Sequence, residues 1–421
     1  MISGQSSRRL PRALSVAVPL LAALLACGCG ESVRYSPDLR YPARTDPIVD
    51  DPPKEQPWAS EQPGRLDESI AEIPKKGGKI TEPKSIDAGL RKALLAALNT
   101  TFGTPYAPQV GAAKGEDEGV VTQLVQLKVR DAKEDAPFHT LATGSKAFRF
   151  HCVHCHGLPG DGHGPTGPWV VPHPRDYRLG KFKFVSSAGG PPGKPRRDDL
   201  MRTLHQGIDG TSMPSFALLS DDELDGLASY VMHLSIRGEV EKDILTDLAA
   251  GNDYPDMADE VHTRMTMIVG QWAAADAKPI EPTKDSYKDL TTKQMAESIR
   301  RGYKLFSDPS GSASCIGCHQ DYGRQVPFRY DKWGTLVRPA NLTHGVYRGG
   351  RRPIDIFWRI KRGIDPSGMP PTGVTDDKDV WDVVNFVQAM PYPQMLPEDV
   401  RYKIYDRPPE EHPKTAVRVE K

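Results

Sequence analysis

The sequence reads Cys152-Val153-His154-Cys155-His156 in its first half and Cys315-Ile316-Gly317-Cys318-His319 in its second half. The shared pattern C-x-x-C-H is the attachment signature of c-type haem, in which two thiols form thioethers with the porphyrin and the adjacent imidazole ligates the iron. The chain has 6 cysteines, and the two outside the motifs, Cys27 and Cys29, fall at the end of a leader segment. We therefore expect two covalently attached haem c groups, which are bound by Cys152, Cys155 and His156 and by Cys315, Cys318 and His319.

A zinc site and a redox-active cysteine pair are the alternative interpretations of these motifs. A four-cysteine zinc site would require the two pairs to converge in space. A thioredoxin-like pair does not require a histidine directly after the second cysteine, and here that histidine is present twice. Covalent haem accounts for both features.

A matching methionine segment lies downstream of each motif. Residues 207–214 read GIDGTSMP, and residues 363–370 read GIDPSGMP. A thioether sulfur opposite a histidine stabilises ferrous iron and raises the reduction potential, which suits an electron carrier. Most of the 11 methionines are expected to fill the core. The shared setting of Met213 and Met369 predicts that these two are distal iron ligands.

The first 26 residues are typical of an export signal. Arg8, Arg9 and Arg12 precede an apolar run over residues 13–26 that is too short for a comfortable membrane span. The run ends in LLAC, which resembles the lipobox of bacterial lipoproteins and predicts lipidation of Cys27. Cys29 is a competing acceptor, and a cleaved signal with a soluble product is the alternative. Export agrees with covalent haem, because c-type haem is attached outside the cytoplasm.

The charge balance excludes a strongly basic, nucleic-acid-binding protein. The chain has 55 Lys and Arg and 55 Asp and Glu, and loss of the leader with its three arginines leaves 52 basic side chains. A nearly neutral chain carries no electrostatic footprint for nucleic acid.

Composition and periodicity divide the chain into seven segments. Residues 31–83 are polar and proline-rich, which indicates a semi-extended segment, whereas residues 244–269 carry an apolar stripe that favours a packed helix. We expect a lipoprotein-type signal peptide at 1–26, a proline-rich tether at 27–83, an N-terminal extension packed on the first domain at 84–139, a first haem domain at 140–240, a helical connector at 241–290, a second haem domain at 291–392 and a surface tail at 393–421.

The two haem regions align as an internal duplication. Upstream of the two motifs, Gly144-x-x-x-Phe148 and Gly302-x-x-x-Phe306 each mark a helix whose glycine would let another helix cross closely. Downstream of each methionine, apolar residues recur with helical spacing at equal distances in both halves. These positions are Leu224, Leu227, Tyr230 and Val231 in the first half and Val380, Val383, Phe386 and Val387 in the second.

With these motifs in place, each half resembles a class I cytochrome c domain. The resemblance implies a mainly α fold, with two tandem domains whose helices pack around a covalently bound haem and which are joined by a helical connector. It also implies proximal ligation by His156 and His319 and distal ligation by Met213 and Met369. A proline carbonyl in this family typically accepts the ring N–H of the proximal histidine. The matching positions are Pro174 in the first half, where Pro168 is an alternative, and Pro339 in the second.

A narrower resemblance involves residues 156–162, which read HGLPGDG. This stretch is similar to membrane-anchored cytochromes beside quinol-oxidising complexes, such as the lipoprotein cytochrome subunits of alternative complex III, and to cytochrome subunits of cbb-type oxidases. The resemblance implies a periplasmic, membrane-anchored electron carrier whose partners are a quinol-oxidising complex, a terminal oxidase or a soluble cytochrome.

Two other function classes stay open. A dihaem peroxidase needs one iron with an open or labile sixth position and nearby acid and base groups, and a gas or redox sensor needs a methionine that dissociates. A bis-histidine haem would have a lower potential. The histidines that could replace Met213 are His151, His154, His163, His173 and His205, and none of them recurs at an equivalent position in the second half.

Overall fold

The computed structural model describes residues 34–54, 70–112, 115–189, 193–283 and 289–405. The expected signal peptide and the lipidation site at Cys27 lie outside these described residues. Within them, helices make up most of the secondary structure, as the mainly α prediction requires. The helices are α1 (Ala88–Phe102), α2 (Glu118–Gln126), α3 (His139–His151), α4 (Val153–His156), α5 (Arg197–Gln206), α6 (Asp221–Ala249), α7 (Met257–Asp276), α8 (Thr292–Ser307), α9 (Pro353–Arg362), α10 (Asp377–Ala389) and α11 (Glu398–Ile404). The strands form two antiparallel pairs, β1 (Ile48–Asp51) with β2 (Lys79–Thr81) and β3 (Arg329–Tyr330) with β4 (Leu336–Val337).

A close crossing of α3 and α6 forms the centre of the first domain. A Cβ on Gly144 would lie 1.9 Å from the carbonyl oxygen of Gly226, so only glycine lets the two backbones approach this far. One turn further along α3, the rings of Phe148 and Tyr230 pack at a centroid distance of 5.2 Å. Both rings are fully buried.

The second domain repeats this crossing with α8 and α10. A Cβ on Gly302 would lie 1.9 Å from the carbonyl oxygen of Asp382, and the rings of Phe306 and Phe386 pack at 5.4 Å. The glycine-based crossings predicted from the sequence are therefore confirmed in both halves, and the chain contains two copies of one helical unit.

The helix α6 continues well beyond the first domain's crossing. It begins with a capping box, in which the Ser220 hydroxyl and the Glu223 carboxylate each accept from the other residue's backbone N–H. Its residues are buried almost without a break from Leu224 to Glu241. The expected boundary between residues 240 and 241 thus falls inside a continuous helix, and the connector consists of the end of α6 together with α7.

The N-terminal residues pack on the first domain. Tyr41 is 1% exposed, and its hydroxyl lies 2.8 Å from the hydroxyl of Tyr230. Ile48 in β1 is equally buried and pairs with Thr81 in β2. The tether expected at 27–83 is therefore wrong for residues 34–54 and 70–83, because their apolar side chains enter the core. The N-terminal extension contains α1 and α2, and Gln126 at the end of α2 donates to the carbonyl oxygen of Ala273 in α7.

The surface tail expected at 393–421 also differs from the structure over α11. Val400 and Ile404 are 2% and 1% exposed and belong to the core of the second domain. The side chain of Arg324 donates to the carbonyl oxygen of Ile404 at 3.0 Å. Residues 406–421 lie outside the described part of the chain.

The hairpin of β3 and β4 joins the two domains. Its turn residue Trp333 is 4% exposed and donates through Nε1 to the carbonyl oxygen of Asp176 in the first domain. The guanidinium of Arg175 stacks over the Trp333 ring at 4.7 Å and donates to the carboxylate of Asp331 at 3.0 Å. Among the described helices, none is long and apolar enough to cross a membrane.

Candidate functional site

The first C-x-x-C-H motif lies directly after α3. The backbone N–H of His156 donates to the carbonyl oxygen of Cys152 at 2.9 Å, which places the two cysteines and the histidine on one helical turn. Cys152 is buried, and burial raises the pKa of its thiol to about 12. Cys155 is partly exposed, and its Sγ lies 3.1 Å from the hydroxyl oxygen of Thr166.

The second motif makes the equivalent backbone hydrogen bond, although residues Cys315–Gly317 form a 3₁₀ turn instead of an α-helix. The backbone N–H of His319 donates to the carbonyl oxygen of Cys315 at 2.8 Å. Cys315 is partly buried, and burial raises the pKa of its thiol to about 11, while Cys318 is exposed. Each motif thus presents one inner thiol, one outer thiol and an imidazole from a single turn, which is the donor set that covalent haem attachment requires.

The two methionine loops share their backbone hydrogen bonds. The N–H of Ile208 donates to the carbonyl oxygen of Met213 at 3.1 Å, and the N–H of Ile364 donates to that of Met369 at 2.8 Å. Each loop begins with a left-handed glycine, which ends the preceding helix.

A second hydrogen bond ties each loop to the preceding helix at equivalent positions. Phe216 donates to Leu204 at 2.9 Å, and Thr372 donates to Ile360 at 3.0 Å. The two loops therefore position Met213 and Met369 with the same pair of backbone hydrogen bonds.

A cavity of about 600 Å³ connects the residues of the second site. Cys315, Cys318, His319 and Met369 all line it. Its apolar walls come mainly from α8, α9 and α10, and they include Phe306, Leu342, Ile356, Ile360, Val383 and Val387. The thiols, the imidazole, the thioether and the apolar walls therefore fit a covalently bound haem.

The ring nitrogen Nδ1 of His319 lies 3.3 Å from the carbonyl oxygen of Ala340. The expected acceptor was Pro339, and the structure corrects this prediction by one residue. Gly323 makes room for this carbonyl, since a Cβ there would lie 2.0 Å from the Ala340 oxygen. Burial lowers the pKa of His319, which favours the neutral imidazole that iron ligation needs.

His156 in the first site is stacked on the ring of Tyr177, with a centroid distance of 4.7 Å. Its Nε2 lies 3.1 Å from the Tyr177 hydroxyl, while its Nδ1 is buried without a hydrogen-bond partner. Burial lowers the pKa of His156 to about 4, and the nearby backbone of Arg175 opposes this shift. The hydrogen bond expected between the His156 ring and Pro174 is therefore not formed in the structure. Pro168, the alternative, lies in the short turn Gly167–Trp169.

Tyr177 is a site residue that the sequence analysis missed. Tyr177 follows Pro174 by three residues, as Leu342 follows Pro339. The duplication therefore identifies the two positions as equivalent, but it does not show that Tyr177 contacts His156. If His156 held a haem iron through Nε2, the Tyr177 hydroxyl would have to move away from that nitrogen.

The other histidines near the first motif lie in different surroundings. His163 Nδ1 lies 3.0 Å from the carbonyl oxygen of Asp161, and the ring of His151 packs against Phe150 and Phe216. His173 lines the cavity of the second site. His154 and His205 are exposed.

A shared zinc site is not supported by this arrangement. Cys152 belongs to the core of the first domain and Cys315 packs against the core of the second. In the described part of the chain, no group of three or more His, Cys, Asp or Glu side chains is arranged to hold a metal ion.

Comparison with known families agrees with the duplicated geometry. The family described as cytochrome c oxidase, cbb3-type, subunit III matches residues 139–231 and again residues 297–387. The chain contains two tandem c-type cytochrome domains. Each domain of this cytochrome binds one haem c covalently and serves electron transfer, and such domains work with redox partners and are typically extracytoplasmic.

One solved structure is similar to part of the cytochrome. It belongs to the reducing HAO-like protein complex of Kuenenia stuttgartiensis, with 22% sequence identity and a TM-score of 0.43. The alignment covers 59% of this chain and 95% of that chain. No curated protein matches the sequence.

Proposed function

We propose that this dihaem cytochrome carries electrons in an extracytoplasmic respiratory chain, with histidine and methionine ligating both irons. The observation that carries the proposal is the equivalence of the two methionine loops. Met213 and Met369 follow left-handed glycines at the same spacing, and both loops are tied to the preceding helix by the same hydrogen bonds. Two irons whose axial positions are all occupied by protein ligands suit one-electron transfer, whereas a peroxidase needs one iron that binds substrate.

The haem supplies reversible one-electron chemistry at the iron, and the protein sets the potential of that iron. His156 and His319 would each provide a neutral imidazole to the iron, since partial burial lowers the pKa of both. The carbonyl of Ala340 orients His319 and raises its basicity as a ligand. The thioethers of Met213 and Met369 would stabilise the ferrous state.

The proposal includes an anchor and partners. Lipidation at Cys27 attaches the protein to the membrane on the extracytoplasmic side, and the partners are a quinol-oxidising complex, a terminal oxidase or a soluble cytochrome. The support for this part is the leader sequence and the HGLPGDG stretch at residues 156–162.

The spectrum of the oxidised protein tests the ligation. Two low-spin haems per chain, each with a far-red methionine-to-iron charge-transfer band, are expected. High-spin haem in the wild-type protein, together with peroxide turnover faster than about one per second, would show a peroxidase instead. Mass spectrometry of the membrane fraction tests the lipid on Cys27, with Cys27→Ala as the matched control.

A further inference from the structure

The cavity of the second haem extends across the interface between the two domains. Val171, Pro172, His173, Lys183, Phe184 and Gly210 of the first domain line it together with the second domain's own residues. The first domain therefore forms one wall of the site that contains Cys315 and His319.

The charged side chains that line this cavity are of one sign. Five cationic side chains line it, and its lining includes no Asp or Glu. They are Lys183, Arg329, Arg338, Arg348 and Arg359. A site with this lining favours an anionic ligand, and a haem carries two propionates that are anionic at neutral pH.

Arg359 has a donor without a protein partner in this cavity. The residue is 8% exposed, and its Nη2 is buried and makes no hydrogen bond. Its other terminal nitrogen, Nη1, donates to the carbonyl oxygen of Lys183 at 3.3 Å, and its guanidinium packs over the ring of Phe184 at 5.3 Å. A buried guanidinium nitrogen without an acceptor is costly, so a ligand oxygen at this place would stabilise it.

Lys183 is only partly neutralised by the protein. Its Nζ lies 3.4 Å from Asp331, but Arg175 donates to the same carboxylate at 3.0 Å. Two cations thus share one fully buried anion. Burial and the neighbouring Arg175 lower the pKa of Lys183 to about 7, and a further anion close by would restore its charged form.

We propose that Lys183 of the first domain and Arg359 of the second bind the propionates of the second haem, so that the first domain completes the second haem's site. The first haem has no matching pair, because Thr203 occupies the position equivalent to Arg359. The proposal rests on the proposed function in requiring a low-spin haem ligated by His319 and Met369, which the spectrum of the wild-type protein tests separately.

Two measurements on the holoprotein test this proposal. A haem-resolved potentiometric titration gives the potential of each haem, and resonance Raman spectroscopy reports the propionate bending bands. The haem whose far-red band is lost in Met369→Ala is assigned as the second. Lys183→Gln is the deciding variant, and Lys181→Gln is its matched control. Lys181 lies two residues away and donates to the carbonyl oxygen of Lys332, but it does not line the cavity.

Lys183→Gln is expected to shift the equilibrium of the second haem about tenfold toward the ferric state, which is about 59 mV for a one-electron couple. The propionate band of that haem is expected to move, and the first haem is expected to stay unchanged. Arg359→Gln should act in the same direction, and Lys183→Arg should restore both readouts. An unchanged propionate band in Lys183→Gln overturns the proposal even if the potential falls, and so does an equal response to Lys181→Gln. Should Arg359→Gln fail to fold, Lys183→Gln alone decides.

Discussion

Arg202 of the first domain lies with its Nε 3.5 Å from the carboxylate of Asp355 in the second. The same guanidinium contacts Asp199 at 2.6 Å, and Asp199 and Asp355 occupy equivalent positions of the duplication. Each of these two buried carboxylates accepts the N-cap N–H of its own helix, α5 or α9. Arg202 also stacks over the Trp358 ring at 4.7 Å. Arg202 thus pairs with Asp199 and also reaches Asp355, which Arg352 contacts more closely at 2.8 Å, so it links equivalent positions of the two domains.

Replacing Arg202 should destabilise the whole molecule. Arg202→Gln would leave the buried Asp199 without its ion-pair partner, whereas Asp355 would keep Arg352, so the free energy of unfolding should fall by about 3–5 kcal/mol. Urea denaturation followed by circular dichroism measures this change. The control is Arg300→Gln, because Arg300 pairs with Asp399 at the surface, where both side chains are about half exposed, and it should cost at most about 1 kcal/mol. Equal effects of the two substitutions would contradict the bridging role of Arg202.

Gly302 should not tolerate a methyl group. A Cβ at this position would lie 1.9 Å from the backbone of Asp382, so Gly302→Ala has to push α8 and α10 apart and should cost about 3 kcal/mol or more. Differential scanning calorimetry should show a lower unfolding temperature. Gly270 in α7 is the control, because the nearest atom to a Cβ there is 3.9 Å away. Gly270→Ala should instead stabilise the protein by about 0.5–1 kcal/mol. If Gly302→Ala left the unfolding temperature unchanged, α8 and α10 would have to lie further apart at this crossing than the structure shows.

The duplicated core could be predicted from the sequence because both of its signals are local. The C-x-x-C-H motif sets the geometry of one helical turn, and a glycine four residues before a phenylalanine marks where the helices cross. Gly144 and Gly302 both confirm this. The packing of Tyr41 and Ile48 could not be predicted in the same way. Both residues lie in a proline-rich segment, whose composition indicates an exposed chain, and their partners lie more than 30 residues away in the sequence.

Three other features of the structure could not be predicted from the sequence. The helix α6 buries Arg237 and Glu241, which pair at 3.0 Å, and these charged residues hide from the sequence that the first domain's helix and the apolar stripe from residue 244 belong to one helix. The acceptor for His319 shifted to Ala340 because the family pattern locates the proline, whereas the hydrogen bond depends on which carbonyl faces the ring. The contact of Tyr177 with His156 likewise depends on side-chain direction, which spacing alone does not give.

The protein should retain two haems after denaturation in acid. Each of the four motif cysteines is free of disulfide bonds and sits in a C-x-x-C-H turn, so each pair can form two thioethers. Changing both Cys315 and Cys318 to alanine should reduce the haem content from two to one per chain, as measured by the pyridine haemochrome assay and by intact mass. The equivalent change at Cys152 and Cys155 is the matched control and should also leave one haem. Haem that is extracted by acidic acetone from the wild-type protein would contradict covalent attachment.

Removal of a distal methionine separates the electron carrier from the peroxidase. If both methionines ligate their irons, Met213→Ala and Met369→Ala should each free one axial position and abolish one far-red band. The reduction potential of that haem should fall by about 100 mV or more, within the roughly 0.8 V range over which axial ligands act. Each variant should then bind cyanide quickly and gain peroxidase activity that the wild-type protein lacks. Met267, which is 51% exposed on α7, is the control, and Met267→Ala should change none of these readouts. A peroxidase predicts the reverse, because the wild-type protein would already turn over peroxide and one substitution would leave its haem spectrum unchanged. The far-red spectrum of each haem in the two methionine variants therefore decides between an electron carrier and a peroxidase.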